Sequence, residues 1–337
     1  MNKKGDKENR RFLIITVGLV FLLLLTFFFS MFIGRYHIAV KDVFLYFLGQ
    51  QIDDVSGDVI TYLRIPRTLV AIMVGCSLSI SGTIYQSVFN NKLVSPGILG
   101  VSSGASVGAC LAILFGFSSF MISFSAFIVG FIAVFLTLLI ARLFNNKSNI
   151  ILILSGLAVG GLMSSLVGLM KYLADSEMQL AEMTFWLLGD ISGTTINDFW
   201  ILLPIVIVGC FISIILSWRL NIVSLGAKEA KTLGVNYKAT MAVLIVIATA
   251  LTAVSVSISG TIGWIGLVIP NIVRLLVGSN NKKVVPLSML GGAIFMVVVD
   301  MLARSLAPNE IPLSVITGLI GTPLFVFAIF KRRKEIQ

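Results

Sequence analysis

Arginine is the residue type in this sequence best placed to do chemistry. Arg64 and Arg67 flank Ile65-Pro66, and Arg304 closes the run VDMLAR, with Asp300 four residues before it. Guanidinium groups recognise carboxylates through a rigid fork of N–H donors and through charge. Two readings stand side by side for these three. An arginine at the end of a membrane helix anchors at the interface, or it receives an acidic partner protein. Asp300 and Arg304 are also spaced to pair on one helix face. A second basic group, Arg219, Lys228, Lys231 and Lys238, is opposed only by Glu229. No catalytic constellation accompanies these charges. His37 is the one histidine and has no clustered ligand residues, so no metal site is predicted. Cys76, Cys110 and Cys210 lie singly in apolar runs and read as small core residues. No G-x-x-x-x-G-K-[S/T] loop occurs, so this chain is not expected to bind ATP by the usual phosphate cradle.

The elements that must position these residues are apolar. The chain has 337 residues, 57% of them hydrophobic and 12% charged, with a mean hydropathy of +1.02. That composition cannot cover a soluble core with polar surface, and it predicts an all-α polytopic membrane protein. The net charge of +10 does not point to nucleic acid, because the basic residues sit in short loops between apolar runs. Ten spans are expected, near residues 12–33, 68–88, from 97, 120–143, 150–173, 199–218, 239–258, 262–277, 285–304 and 312–330. The first has full span length and no small-residue cleavage site, so it reads as an anchor and not a signal peptide. Basic residues before the first span and after the last place both termini in the cytoplasm. Only Arg35, Lys41, Arg64, Arg67, Lys171 and Arg304 then fall outside. Asn145, Asn146 and Lys147 form one inner turn.

The domain reading is a single transmembrane domain over 1–337, with a cytoplasmic tail at 1–11 and a basic cytoplasmic loop at 219–238. Within that loop Ala227 to Leu233 consists of good helix formers bracketed by Gly226 and Gly234. A short helix, a glycine stop and a second helix starting near Val235 are expected. Gly100, Gly104 and Gly108 are spaced to share one close-packing face. Glu182 to Asp190 is too short to span and amphipathic enough to lie at an interface. Pro270 interrupts the eighth span and frees a carbonyl that Asn271 or a neighbouring helix must satisfy. Ser79–Ile84 recurs identically at Ser257–Ile262, either by chance or as the trace of an inverted repeat.

Four stretches add a resemblance. LNIVSLGAKEAKTLGVN (Leu220–Asn236), VFNNKLVSPGILGVSSGAS (Val88–Ser106), SGTIGWIGLVIPNIVRLLVG (Ser259–Gly278) and PNEIPLSVITGLIGTPLFVFAIFKRRK (Pro308–Lys334) fall in order along the chain, together with the Arg-Ile-Pro-Arg motif. They resemble the FecCD or vitamin B12-type family of ABC importer permeases over roughly residues 60–334. Departures are Lys92 and Thr261 where proline is usual, Asn271 for histidine and Ser314 for glycine.

The resemblance implies a type II ABC importer permease fold and a transport subunit that is not itself an enzyme. It implies that Leu225, Gly226, Ala227, Glu229, Ala230, Leu233 and Gly234 couple to an ATPase subunit, which binds the ATP and magnesium. It matches Arg64, Arg67 and Arg304 to arginines that face a substrate-binding protein. It places Asn91 and Leu93 at a cytoplasmic gate, and Pro270, Asn271, Gly318, Gly321 and Pro323 in the kinked helix and the path. The implied partners are ABC ATPase subunits, an extracytoplasmic substrate-binding protein, a second permease chain (identical or homologous) and membrane lipid, in the cell membrane of a prokaryote. Asparagine at 271 points within the family toward iron(III)-siderophore carriers, with haem or a cobalamin as alternative cargoes. A secondary transporter would need buried ionisable groups along its spans, and a membrane enzyme would need convergent acid, base or metal ligands.

Overall fold

The structure is a computed structural model and describes residues 3–144, 149–175 and 177–336. Among the described residues every regular element is helical. In chain order they are α1 (Lys3–Phe32), α2 (Val40–Phe47), α3 (Asp54–Asp58), α4 (Ile65–Val88), α5 (Val101–Leu114), α6 (Ser119–Leu143), α7 (Asn149–Leu173) and α8 (Gln179–Leu188). Then follow α9 (Ile196–Ile215), α10 (Ser217–Val223), α11 (Ala227–Thr232), α12 (Tyr237–Ser259), α13 (Ile265–Val277), α14 (Asn281–Ala303) and α15 (Leu313–Ile336).

The bundle is built around α4, which packs on α14, α12, α13 and α9. Two glycines let it sit there. A Cβ added at Gly75 would run into the backbone of Gly292 on α14, and one at Gly82 into that of Gly266 on α13. Without the hydrophobic effect to drive helices together in lipid, such backbone-to-backbone approach is a main source of association. Gly104 and Gly108 do the same for α5 against α6: a Cβ at Gly104 would lie 2.5 Å from that of Ala133. Gly100 is not part of that face. It caps α5 with φ +85°, a conformation that glycine adopts without strain.

Eight helical stretches are long and apolar enough to cross a membrane, among them Lys7–Phe32 and Asp54–Val88. The expected ten spans therefore divide into these eight and two shorter apolar helices, α5 and α13, of 14 and 13 residues. At 1.5 Å per residue these reach only about 20 Å of a core about 30 Å thick. The reason is visible in the connections. The turn after α4 carries Asn90 at φ 46° and a 3-10 turn at Pro96–Leu99, and the link after α12 carries Gly260 at φ 64° and Trp264 at φ 69°. Pro96 packs against Gly266, so the two connections meet inside the bundle.

Other boundaries also differ from expectation. Residues 3–11 continue α1 and do not form a separate tail, and Glu8 reaches Lys283 of α14 at 3.2 Å. The second span begins earlier, with α3 running through a π-helical turn at Val59–Arg64 into α4. The repeated hexapeptide takes two conformations: wholly helical at Ser79–Ile84, but breaking at Gly260 in its second copy. Packing around each copy overrides their shared local preference. The turn at Asn145, Asn146 and Lys147 lies outside the described residues.

Candidate functional site

At one end of the bundle α10, α11 and the start of α12 form a compact projection. Gly226 (φ 112°) opens α11 and Gly234 (φ 72°) closes it. The closure has the double bond of a Schellman motif, with the Gly234 N–H donating to the Lys231 carbonyl at 3.1 Å and the Val235 N–H to the Ala230 carbonyl at 2.9 Å. The second helix then begins at Tyr237, with the Asn236 side chain accepting from the Ala239 N–H at 3.1 Å. Ala230 is fully buried beneath the projection, while Leu225 and Leu233 are 61% and 54% exposed at its two shoulders. Glu229 sits in the first turn and Lys231 in the last, as the helix dipole favours. A cleft of about 1110 Å³ runs beside it, lined by Arg142, Lys231 and Lys238 above the apolar Leu138, Ile151 and Met241. The element therefore presents two exposed leucines and basic flanks, with a positive-φ glycine at each end.

The turn holding Asn91 and Leu93 lies at the same end. The Asn91 carboxamide accepts from the Leu93 N–H at 2.9 Å, and Leu93 is 61% exposed. Asn271 joins this turn to α13 by donating to the Lys92 carbonyl at 2.9 Å and to the Leu267 carbonyl at 2.7 Å. Pro270 has no N–H to give to Gly266, four residues back. The Gly266 carbonyl is taken by Gln86 of α4, whose Nε2 donates to it at 3.1 Å. Gln86 is thus the partner that the kink requires, and the sequence signal for it was a glutamine inside an apolar run. Gly318 and Gly321 on α15 make room for Trp264, whose Cβ lies 2.8 Å from a Cβ added at Gly321, and Trp264 packs edgewise on Phe325. Pro323 is exposed on the same helix.

The arginines gather at the opposite end, but not at its surface. Arg64, Arg67 and Arg304 are 3%, 6% and 5% exposed. Arg64 donates to the carbonyls of Met31 and Tyr36. Arg67 reaches Asp300 through Nε at 2.6 Å and forks onto Glu310 at 3.0 and 2.8 Å. Arg304 donates to the Ser30 carbonyl at 2.9 Å, and its Nε lies 3.4 Å from the Asp300 carboxylate. The guanidinia are thus used inside the chain, where they tie α1, α4 and α14 together. Spacing could show the Asp300–Arg304 pair. It could not show Glu310, which arrives from 243 residues away. His37 is exposed, and among the described residues no cluster of His, Cys, Asp and Glu could hold a metal.

The model of the FecCD transport family matches residues 22–331. The molybdate import system permease protein MolB of Haemophilus influenzae is 40% identical over 324 residues, covering 95% of this chain and 96% of that one. A probable iron chelatin transport system permease protein of Helicobacter pylori is 35% identical over 294 residues, covering 87% and 88%. Among solved structures, an ABC transporter chain described as of metal-chelate type, in an inward-facing conformation, superposes with a TM-score of 0.86 at 42% identity, covering 94% of this chain and 99% of that one.

Proposed function

The chain belongs to the FecCD transport family, and from that premise we propose that its cargo is an iron(III)-siderophore complex. The coarser function is plain: it is a multi-pass membrane permease subunit of a prokaryotic ABC importer, and not itself an enzyme. In the proposed cycle an extracytoplasmic binding protein delivers the chelate. Partner ATPase subunits bind ATP and magnesium and displace α11, and the turn with Asn91 and Leu93 opens the inner side. A second permease chain completes the path between copies of α7 and α15.

The observation that carries the coupling role is α11 itself, glycine-hinged at both ends with Leu225 and Leu233 exposed. Support for a wrapped chelate comes from the two helices assigned to the path. Between Ile150 and Met170, and between Leu313 and Phe330, neither carries an ionisable side chain. A bare ferric ion asks for hard oxygen or imidazole ligands, whereas a chelate that already surrounds its metal needs only apolar and hydroxyl contacts. A second reading, molybdate, is favoured by the 40% identity to MolB; a dianion, however, would call for cations or N–H donors along those same faces.

Uptake by a deletion strain, with and without this chain, separates the readings. Labelled ferric siderophore should enter only with the chain present, and labelled molybdate equally in both. Chain-dependent molybdate uptake without ferric siderophore uptake would replace the first reading by the second. Haem or cobalamin, offered in parallel, tests the same machinery with other ring chelates.

A further inference from the structure

Arg274 presents a problem that the transport cycle above does not use. It is 7% exposed, and among the described residues no carboxylate pairs with it. A buried guanidinium with no counter-ion is costly unless its N–H groups are well used. Here they are used on α4: Nη1 donates to the Gln86 carboxamide oxygen and Nη2 to the Ser87 hydroxyl at 3.4 Å. The first bond fixes which way the Gln86 amide points, and so aims its N–H₂ at the carbonyl that Pro270 leaves free.

The second bond leads further. The single Ser87 hydroxyl proton lies between two acceptors, the Thr83 carbonyl at 2.8 Å within α4 and Asn281 Oδ1 at 3.1 Å at the start of α14, so this link can be made or released without leaving the hydroxyl unpaired. The Asn281 backbone N–H donates to Asn221 Oδ1 at 2.7 Å, and Asn221 Nδ2 donates to Asn280 Oδ1 at 2.9 Å. Asn221 stands on α10, which passes into the opening glycine of α11 through two tight turns, the Leu225 N–H donating to Ile222 and the Gly226 N–H to Val223, each at 3.1 Å. At the other end α13 holds the turn after α4 through Asn271 and the Lys92 carbonyl. One chain of hydrogen bonds and short rigid helices thus joins the base of α11 to the turn of Asn91 and Leu93.

We propose that Asn221, Asn281, Ser87 and Arg274 form a polar relay that carries the displacement of α10 and α11 to the turn of Asn91 and Leu93. Asn221 is the input and Asn271 the output, and the four relay residues act as positioning residues. The proposal rests on the ABC importer reading.

The test uses the whole transporter, this chain with its ATPase subunits, in proteoliposomes loaded from outside by its binding protein with labelled ferric siderophore. Leu93→Cys, placed at an exposed position, reports the turn through its rate of maleimide labelling; the native cysteines are buried or half-buried. With the relay intact, ATP should change that rate. In Asn221→Ala and in Ser87→Ala the ATP-dependent change should vanish and cargo moved per ATP hydrolysed should fall at least tenfold, while hydrolysis by the partner subunits continues. The double variant should be no worse than either single one, because members of one chain are not additive. Asn221→Asp keeps the acceptor for the Asn281 N–H and should restore most of the coupling. Should Asn221→Ala fail to accumulate, Ser87→Ala carries the test alone. Unchanged cargo per ATP in the variants, or transport and hydrolysis falling in proportion, overturns the relay and leaves a scaffold. Wild-type protein that moves no cargo on ATP addition, with ferric siderophore or with molybdate, overturns the transport reading itself.

Discussion

Gly234→Val is the sharpest perturbation of the proposed coupling element, α11. Gly234 has φ 72°, and a Cβ built there meets no atom within 4 Å. The penalty is therefore conformational and not steric contact with the bundle. Holding a residue with a Cβ in the left-handed region costs roughly 1–2 kcal/mol, and a β-branched side chain lies at the upper end. α11 has only six residues, too few to be stable alone, and its C-terminal closure depends on the bonds at Gly234 and Val235. A cost of that size lowers the closed form of α11 roughly 5- to 30-fold relative to alternatives. Transport and cargo-stimulated ATP hydrolysis should fall by a comparable factor, with membrane abundance and thermal stability in detergent unchanged. Gly234→Asn should retain much of the activity, since asparagine tolerates positive φ better than other side chains. Gly18→Ala, equally open but in the ordinary helix of α1, should be silent. Normal stimulated hydrolysis in the Gly234→Val transporter would refute the role assigned to this turn.

Three further outcomes are expected. Asp300→Ala leaves Arg67 and Arg304 buried side by side without their shared carboxylate and should destabilise the chain by about 3–5 kcal/mol, read as a lowered melting temperature in detergent; an unchanged melt would show that the cluster is not structural. Arg64→Glu/Arg67→Glu should be lost from the membrane fraction and not merely fail to bind its partner, since both guanidinia hold internal carbonyls or carboxylates. Wild-type abundance with selectively lost docking would restore the surface reading. His37→Ala, at an exposed position just beyond α1, should transport at near wild-type rate, and a complete loss would reveal a missed site.

The shape of α11 was legible because its grammar is local. Gly226 and Gly234 around AKEAKT state both ends of α11, and the observed helix, Ala227–Thr232, falls one residue short of the expected one. Pro270 likewise announced an unpaired carbonyl. Its partner Gln86 lies 180 residues away, and nothing local could name it. The surroundings of the arginines were hidden for a related reason. Basic residues at span ends read as rim charges, yet whether a guanidinium faces solvent or a carboxylate depends on packing partners brought in by the fold. The short length of α5 and α13 was hidden because hydropathy sees composition, whereas Asn90, Pro96, Gly260 and Trp264 divert the backbone beside them.

Those two abbreviated helices bear on leakage. Where α5 and α13 stop, about 10 Å of the apolar slab is bridged by connecting backbone instead of a helical wall. Beside those connections Pro96 seats on Gly266 and Trp264 on Gly321, side chains placed where they would hold back water and small ions. A barrier made of side chains wedged against glycines can part by sliding, with no helix unwound and few main-chain bonds broken. The same construction makes insulation vulnerable: a small residue at 264 should raise passive proton conductance through a resting, fully assembled membrane protein even while its cargo still waits outside.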